Sequence, residues 1–329
     1  MIRLIAVGAS AGGVQALQDL IRDLPADLPA AVLVVLHVGD RMSSLPYLLS
    51  QAGTLPAVHA VNGQAILPGR VYVAPPDHHL LVIGNALRLS RGPKEHHTRP
   101  AIDPLFRSVA LAAGPAAIGV VLTGMLDDGT AGLQLIKQRA GLAIVQMPED
   151  ALCPSMPRSA LENVAVDHCV RLSDMGSLLA KLVTLESEHD VDTPSPEAAM
   201  REQDLLLGRG DPLENLNAIG RPSTFTCPDC HGSLWEIDGS KPPRFVCHTG
   251  HGYSMRSLQR TTAESADDAV WNALRVTQEL GFILRARSEQ ARDAGDADRW
   301  RLAADALQQN AALLRSIIGT EPVRWAGDP

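Results

Sequence analysis

Aromatic residues are scarce in this chain, 3% of 329 residues, so any core has to be built from Ala, Val, Leu and Ile. Such a composition suits a buried parallel sheet flanked by helices. No stretch approaches the roughly 18–20 uninterrupted apolar residues of a membrane span, which speaks against membrane insertion. The Lys/Arg cluster that marks a nucleic-acid reader is also lacking, and the net charge is −8. A solvated acidic surface accounts for that charge. No signal peptide is legible, because Met1 to Val7 runs straight into a glycine turn, so a cytosolic protein is expected. Cysteines number only five, an odd count that fits a reducing compartment better than a disulfide framework. What is present is ordinary for a globular protein: 45% hydrophobic residues, and a length that predicts about two domains.

Up to residue 185, short β-branched apolar runs alternate with helical patterns. Leu4–Val7, Val32–His37, Arg70–Ala74, Ile118–Leu122, Ala143–Gln146 and Cys169–Leu172 read as strands. Leu80–Ser90 reads as a strand pair turning at Gly84-Asn85. Helices are predicted over Val14–Leu24, stopped by Pro25, and from Gly129 onward. The alternation predicts an α/β fold, a doubly wound, mostly parallel sheet with flanking helices, over residues 1–185. Residues 186–223 (Glu186, Glu188, Asp190, Asp192, Pro194, Pro196) read as an acidic, proline-containing linker with one short helix around Glu197–Leu207. A small Cys/His ribbon follows over 224–256. Residues 257–329 read as a helical C-terminal region. There Val270, Leu274, Thr277, Leu280 and Leu284 fall three or four apart, as do Ala303, Leu307, Asn310, Leu314 and Ile317. Asp293-Ala294-Gly295-Asp296 divides them into a helical hairpin. Its stripes suit either ordinary packing or a surface for a homodimer or partner.

The turn Gly8-Ala9-Ser10-Ala11-Gly12-Gly13 follows a strand, opens a helix and fits the G-x-S-x-G pattern of a nucleophile elbow. A serine there stands above the sheet edge, and the helix start offers free N–H groups to a developing oxyanion. The same glycines suit a phosphate-binding turn, so the motif alone does not decide between ester hydrolysis and nucleotide binding. A nucleophilic serine needs a base and the base a carboxylate, both drawn from neighbouring strand ends. His37 closes the run Val32–Leu36, and Asp127 and Asp128 follow Val120 to Leu126. Each alone also suits a structural role, and their joint placement favours a Ser-His-Asp row. A short-chain oxidoreductase would need Tyr-x-x-x-Lys, but Tyr47, Tyr72 and Tyr253 are followed four residues on by Gln51, Pro76 and Ser257.

The first 185 residues resemble the catalytic domain of bacterial chemotaxis protein-glutamate methylesterases of the CheB type. The resemblance is carried by six motifs in order: Val7-Gly8-Ala9-Ser10-Ala11-Gly12-Gly13, Leu36-His37, Leu67-Pro68-Gly69-Arg70-Val71-Tyr72-Val73-Ala74-Pro75, Arg99-Pro100-Ala101-Ile102-Asp103, Leu122-Thr123-Gly124-Met125-Leu126-Asp127-Asp128-Gly129 and Met156-Pro157. It implies hydrolysis of glutamyl methyl esters on chemoreceptor helices without a catalytic cofactor, and a methyltransferase counterpart. Carried over, Ser10 is the nucleophile, His37 the general base and Asp128 its orienting partner, with Asp127 a neighbour. Met125, with Gly12 and Gly13, marks the oxyanion neighbourhood. Three departures stand out. Ala11 replaces a threonine, Leu126 replaces a glycine, and Ser10 lies so near Met1 that no receiver domain precedes it, so control by an attached receiver is not expected. The first two leave a catalytically impaired scaffold of the same fold as the alternative.

Cys227-Pro228-Asp229-Cys230 and Cys247-His248-Thr249-Gly250-His251 have the spacing of a structural Cys₃His zinc site. Some CheB-like chains carry a similar ribbon, and that likeness points to His251 over His248 as fourth ligand. A ribbon without metal is the alternative. His78-His79 and His96-His97 read as loop or exposed histidines rather than a second metal site.

Overall fold

Apolar runs without polar alternation can be buried on both faces, and such runs form the central sheet here. The structure is a computed structural model that describes residues 2–38, 43–185 and 196–318. In order, its first elements are β1 (Arg3–Ala9), α1 (Gly13–Arg22), β2 (Ala30–Leu36), α2 (Leu45–Ala52), β3 (Ala57–His59), β4 (Arg70–Val73), β5 (His79–Ile83), β6 (Ala86–Ser90) and α3 (Ile102–Ala113). There follow β7 (Ala117–Val121), α4 (Thr130–Gln138), β8 (Leu142–Gln146), α5 (Ser155–Asn163), β9 (His168–Val170) and α6 (Leu172–Leu182).

Seven strands pair in the order β3-β4-β2-β1-β7-β8-β9, all parallel. This is the doubly wound sheet with flanking helices that the alternation predicts. Successive residues of β1 feed opposite cores, Leu4 and Ala6 one, Ile5, Val7 and Ala9 the other. Helices α3, α4 and α5 cover the first face, and α1, α2 and α6 the second. From β1 the chain moves to β2 on one side and later to β7 on the other. The carboxyl end of β1 is therefore the topological switch point, where open α/β sheets form their binding crevice. The hairpin of β5 and β6 turns at Gly84, whose φ of 59° suits a residue without a Cβ. Leu172 opens α6 instead of closing a strand, because β9 pairs with β8 only as far as Val170.

The linker reading needs correction in its second half. The acidic stretch 186–195 lies outside the described residues. Beyond it come α7 (Glu197–Leu207), α8 (Pro212–Ile219) and β10 (Gly220–Thr226), all ordered elements. Helix α7 occupies the predicted span, but it buries Ala199, Leu205 and Leu206. Its Glu202 is not solvated: it pairs with Arg107 of α3 and with Arg244. Polarity masked the burial, because a carboxylate can be buried when paired. Strand β10 continues with β11 (Ser233–Ile237), β12 (Arg244–Cys247) and β13 (Gly252–Ser254) as an antiparallel four-stranded ribbon.

Two compact units divide the chain, Met1–Leu258 and Gln259–Pro329. The second holds most of α9 (Met255–Gln290) and α10 (Ala294–Ile318). Asp293 accepts from the N–H of Asp296 and so starts α10, placing Ala294 to Asp296 within its first turn rather than in the break. On α10 the fully buried residues are Ala304 and Ala311, with Leu307 and Leu314 of the predicted stripe half-buried on the same face, while its Asn310 and Ile317 are exposed. Among the described residues no helix is long and apolar enough to cross a membrane.

Candidate active site

Ser10 is the first residue beyond β1. Its N–H donates to Thr123 O at 3.0 Å, and its carbonyl accepts from Gly13 N–H at 2.8 Å, which closes the turn into α1. Gly12 has φ +78°, and a Cβ there would lie 2.8 Å from the Leu152 side chain. A Cβ on Gly124 would stand 2.9 Å from Cβ of Ser10 and 2.1 Å from Met156 Sδ, so this glycine is what lets the two strand ends close together.

His37 follows β2, and its N–H extends the parallel ladder to Ala9 O at 3.3 Å. Its ring bridges the crevice, with Nδ1 3.0 Å from Ser10 Oγ and Nε2 2.8 Å from Asp128 Oδ2. The two ring nitrogens have exchanged the roles they hold in trypsin-type triads. Asp128, 2% exposed, is gripped by the first turn of α3: Ile102 N–H donates to Oδ2 at 2.7 Å and Asp103 N–H to Oδ1 at 2.9 Å. Burial pushes this carboxyl up, but the His96 charge, the hydrogen bond from His37 and the helix N–H groups outweigh it. The carboxyl therefore sits well below the usual carboxylate range.

The structure thus brings Ser10, His37 and Asp128 into one hydrogen-bonded row at the ends of β1, β2 and β7. With Nε2–H donated to Asp128, Nδ1 is the acceptor of the Ser10 hydroxyl's hydrogen bond. Gly13 N–H is committed to Ser10 O, so among the glycines of the turn it is Gly12, with Ala11, whose N–H has no partner among the described residues. Met125 lies half-buried in the turn after β7, and its N–H is likewise without a described partner. Leu126 adopts φ +62°, a left-handed conformation costly for a leucine, at the position where the resemblance expects glycine. Asp127 takes no part in the row. Its Oδ1 accepts from Ser254 Oγ at 2.7 Å, and burial raises its carboxyl.

Two histidines depart from the sequence reading. His79 is buried in β5, with Nε2 2.9 Å from Pro93 O and Nδ1 accepting from Ala101 N–H; burial lowers it to about 4. The His96 side chain is only 6% exposed, and its Nε2 stands 2.9 Å from Asp103 Oδ2 and 3.6 Å from Asp128 Oδ1. Adjacent histidines in a polar loop gave no hint of this, because the contacts come from residues distant in sequence. Asp103 was visible only as the end of the Arg99–Asp103 motif, without a role.

The ligand atoms of Cys227, Cys230, Cys247 and His251 all lie within 4.8 Å of one another. Cys230 Sγ and Cys247 Sγ are 3.6 Å apart, and His251 Nδ1 is 3.5 Å from Cys247 Sγ and 3.8 Å from Cys227 Sγ. A tetrahedral Zn²⁺ with Zn–S about 2.3 Å needs edges of about 3.7 Å, so the donor set fits the ion. His248 is exposed on the turn beside it.

Residues 5–179 match the CheB methylesterase family. A protein-glutamate methylesterase/protein-glutamine glutaminase of Photorhabdus laumondii is 38% identical over 186 residues, 55% of this chain and 53% of that protein. A Leptospira interrogans protein named for the same two activities is 36% identical over 180 residues, 54% of this chain and 93% of its own length. The crystal structure of the Thermotoga maritima CheB methylesterase catalytic domain superposes with a TM-score of 0.53 at 30% identity, covering 55% of this chain and 99% of that one. The chain spans about half the length of the first relatives it matches, 53% and 51%. Its ribbon and helical hairpin lie beyond the matched segment.

Proposed function

Because the chain belongs to the CheB methylesterase family, we propose that it is a serine hydrolase that removes methyl esters from glutamate side chains of chemoreceptor-like proteins. What carries the reading is the row of hydroxyl, imidazole and buried carboxylate at the switch point of the sheet. Ser10 Oγ attacks the ester carbonyl as His37 Nδ1 takes its proton, and Asp128 holds Nε2–H and stabilises the imidazolium. The Ala11, Gly12 and Met125 N–H groups, without partners among the described residues, would serve the oxyanion, a good donor being worth about 3–4 kcal/mol in the transition state. His37 returns the proton to the departing methoxide as methanol, and water releases the glutamyl group by the same steps in reverse. The relatives' name also includes glutaminase activity, and the same attack applies to a side-chain amide. Nucleotide-dependent redox chemistry is set aside by the family and by the lack of Tyr-x-x-x-Lys.

Catalysis needs no cofactor in this reading. A structural Zn²⁺ would be held by Cys227, Cys230, Cys247 and His251, all four of its positions filled by protein, so it supplies rigidity and no open site for chemistry. The protein acts in the cytoplasm opposite a methyltransferase counterpart. Trp271, Phe282, Ile283 and Leu302, apolar and exposed on the C-terminal hairpin, favour its use in a homodimer. The deciding experiment is methanol release from a methylated receptor. Ser10→Ala should lose at least about 10⁴-fold in turnover while unfolding at the same denaturant concentration. Wild-type protein that is folded yet neither releases methanol nor labels with a serine-directed fluorophosphonate would instead mark an impaired scaffold.

A further inference from the structure

Three carboxylates, Asp103, Asp127 and Asp128, are buried close together with 1%, 2% and 2% exposure. Like charges out of water repel strongly unless a cation stands among them. The imidazole of His96 occupies that place. Its Nε2 is 2.9 Å from Asp103 Oδ2 and 3.6 Å from Asp128 Oδ1, and its Nδ1 is 3.1 Å from Ser257 Oγ. We infer that His96 is a positioning residue for the triad, a buried cation that holds Asp128 as an oriented carboxylate from the side opposite His37. The inference deepens the hydrolase reading and rests on its Ser10–His37–Asp128 row.

The surroundings fit a ring carrying both protons. One N–H faces the Asp103 carboxylate and the other the Ser257 hydroxyl, so neither nitrogen lacks an acceptor. Asp103 is itself fixed, its Oδ1 accepting from Gly132 N–H at 2.7 Å. The backbone of His96 is pinned by its N–H to Gly252 O at 2.7 Å, with φ 53°. Gly252 and Ser257 bracket the end of the ribbon, so residues far outside the matched segment lock the histidine that steadies the triad. The remaining ionisable neighbours do not supply the charge. His79 is kept neutral by burial, Asp127 is bonded to Ser254 with Arg256 nearby, and the Glu95, Arg107, Glu202 and Arg244 cluster balances its own charges. Burial works against the charged ring, but Asp128 and Asp103 prevail and raise His96 to about 10. A metal ion on His96, Asp103 and Asp128 is disfavoured, because both oxygens of Asp128 and Oδ1 of Asp103 already accept from backbone N–H groups.

Without this cation, the uncompensated negative charge favours a proton on the row, either shared by Asp103 and Asp128 or resting on His37. Either proton blocks transfer from Ser10, and raising the pH removes it. The test is His96→Asn, since asparagine tolerates a left-handed backbone, read by fluorophosphonate labelling of Ser10 across pH with circular dichroism as the fold control. The acid limb should move up by about one pH unit, with a loss of about tenfold at low pH that recovers as pH rises. A uniform loss at every pH, or no change, overturns the proposal. Independently, ¹⁵N NMR of wild-type protein should find the His96 ring doubly protonated at about pH 8, far above the ordinary histidine range. A neutral ring there also overturns it. Should His96→Asn not fold, Ser257→Ala should lower the midpoint at which His96 loses its proton, and an unmoved midpoint counts against the lock. Absence of methanol release with the expected labelling profile would sink the substrate assignment and leave this inference standing.

Discussion

At the scale of single residues, the turn after β7 concentrates most of what distinguishes this chain. Gly124 is required by the approach of Ser10 and Met156, while Leu126 spends conformational energy that a glycine would not. Its side chain is half-buried, so removing it also loses packing. Comparing two truncations isolates the backbone cost. Leu126→Gly should be more stable than Leu126→Ala by about 1 kcal/mol, the reverse of their order in a helix, as measured by urea unfolding. Equal stability would mean that the turn relaxes. Ala11, the other departure, leaves Thr123 to fasten the turn through its hydroxyl, which donates to Ala11 O at 2.9 Å.

At the scale of elements, α3 is the hub. Its N-terminus grips Asp128, and its Arg107 lies between Glu95 and Glu202, all buried. Arg244 of β12 reaches the same Glu202. This joins the loop before α3, helix α7 and the ribbon in one ion-pair network. Removing one partner of a buried pair strands the others, so Glu202→Ala should cost about 3–5 kcal/mol. Chemical denaturation would measure it, and a loss near zero would show that Arg107 and Arg244 find water or other partners. The strand pattern was readable because buried parallel strands are continuous apolar runs. Helix α7 was located to the residue, yet its packing was missed, because the Arg–Glu pairing that permits burial is set between elements far apart in the chain.

At the scale of the molecule, the Cys/His ribbon is not a pendant module. Ser254 bonds Asp127, Gly252 O holds His96, and Glu95 bridges to Gly252, so the ribbon touches the loop beside the Ser10–His37–Asp128 row. If Zn²⁺ organises the ribbon, chelation should raise hydrogen exchange over 220–254 and in the 94–98 loop, with β1, β2 and β7 still protected. Exchange that stays unchanged after the metal is stripped would argue that the ribbon folds on its hydrophobic contacts alone.

The sequence by itself determined the class of the sheet and the order of its strands along the chain, short edge strand β3 excepted, and with the family resemblance it put forward Ser10, His37 and Asp128 as the candidate row. Those depend on local periodicity, turn residues and motif order, all carried by neighbouring positions. It also brought forward the four zinc-ligand candidates by spacing and likeness. Only the tertiary structure decided that His37 presents Nδ1 to Ser10, that α3 donates two N–H groups to Asp128, and that the His96 imidazole lies nearly out of water among carboxylates. These are matters of direction and burial, created when strand ends converge at the switch point and when the ribbon packs against the 94–98 loop. Nothing in a stretch of polar residues records which of them folding will take out of water.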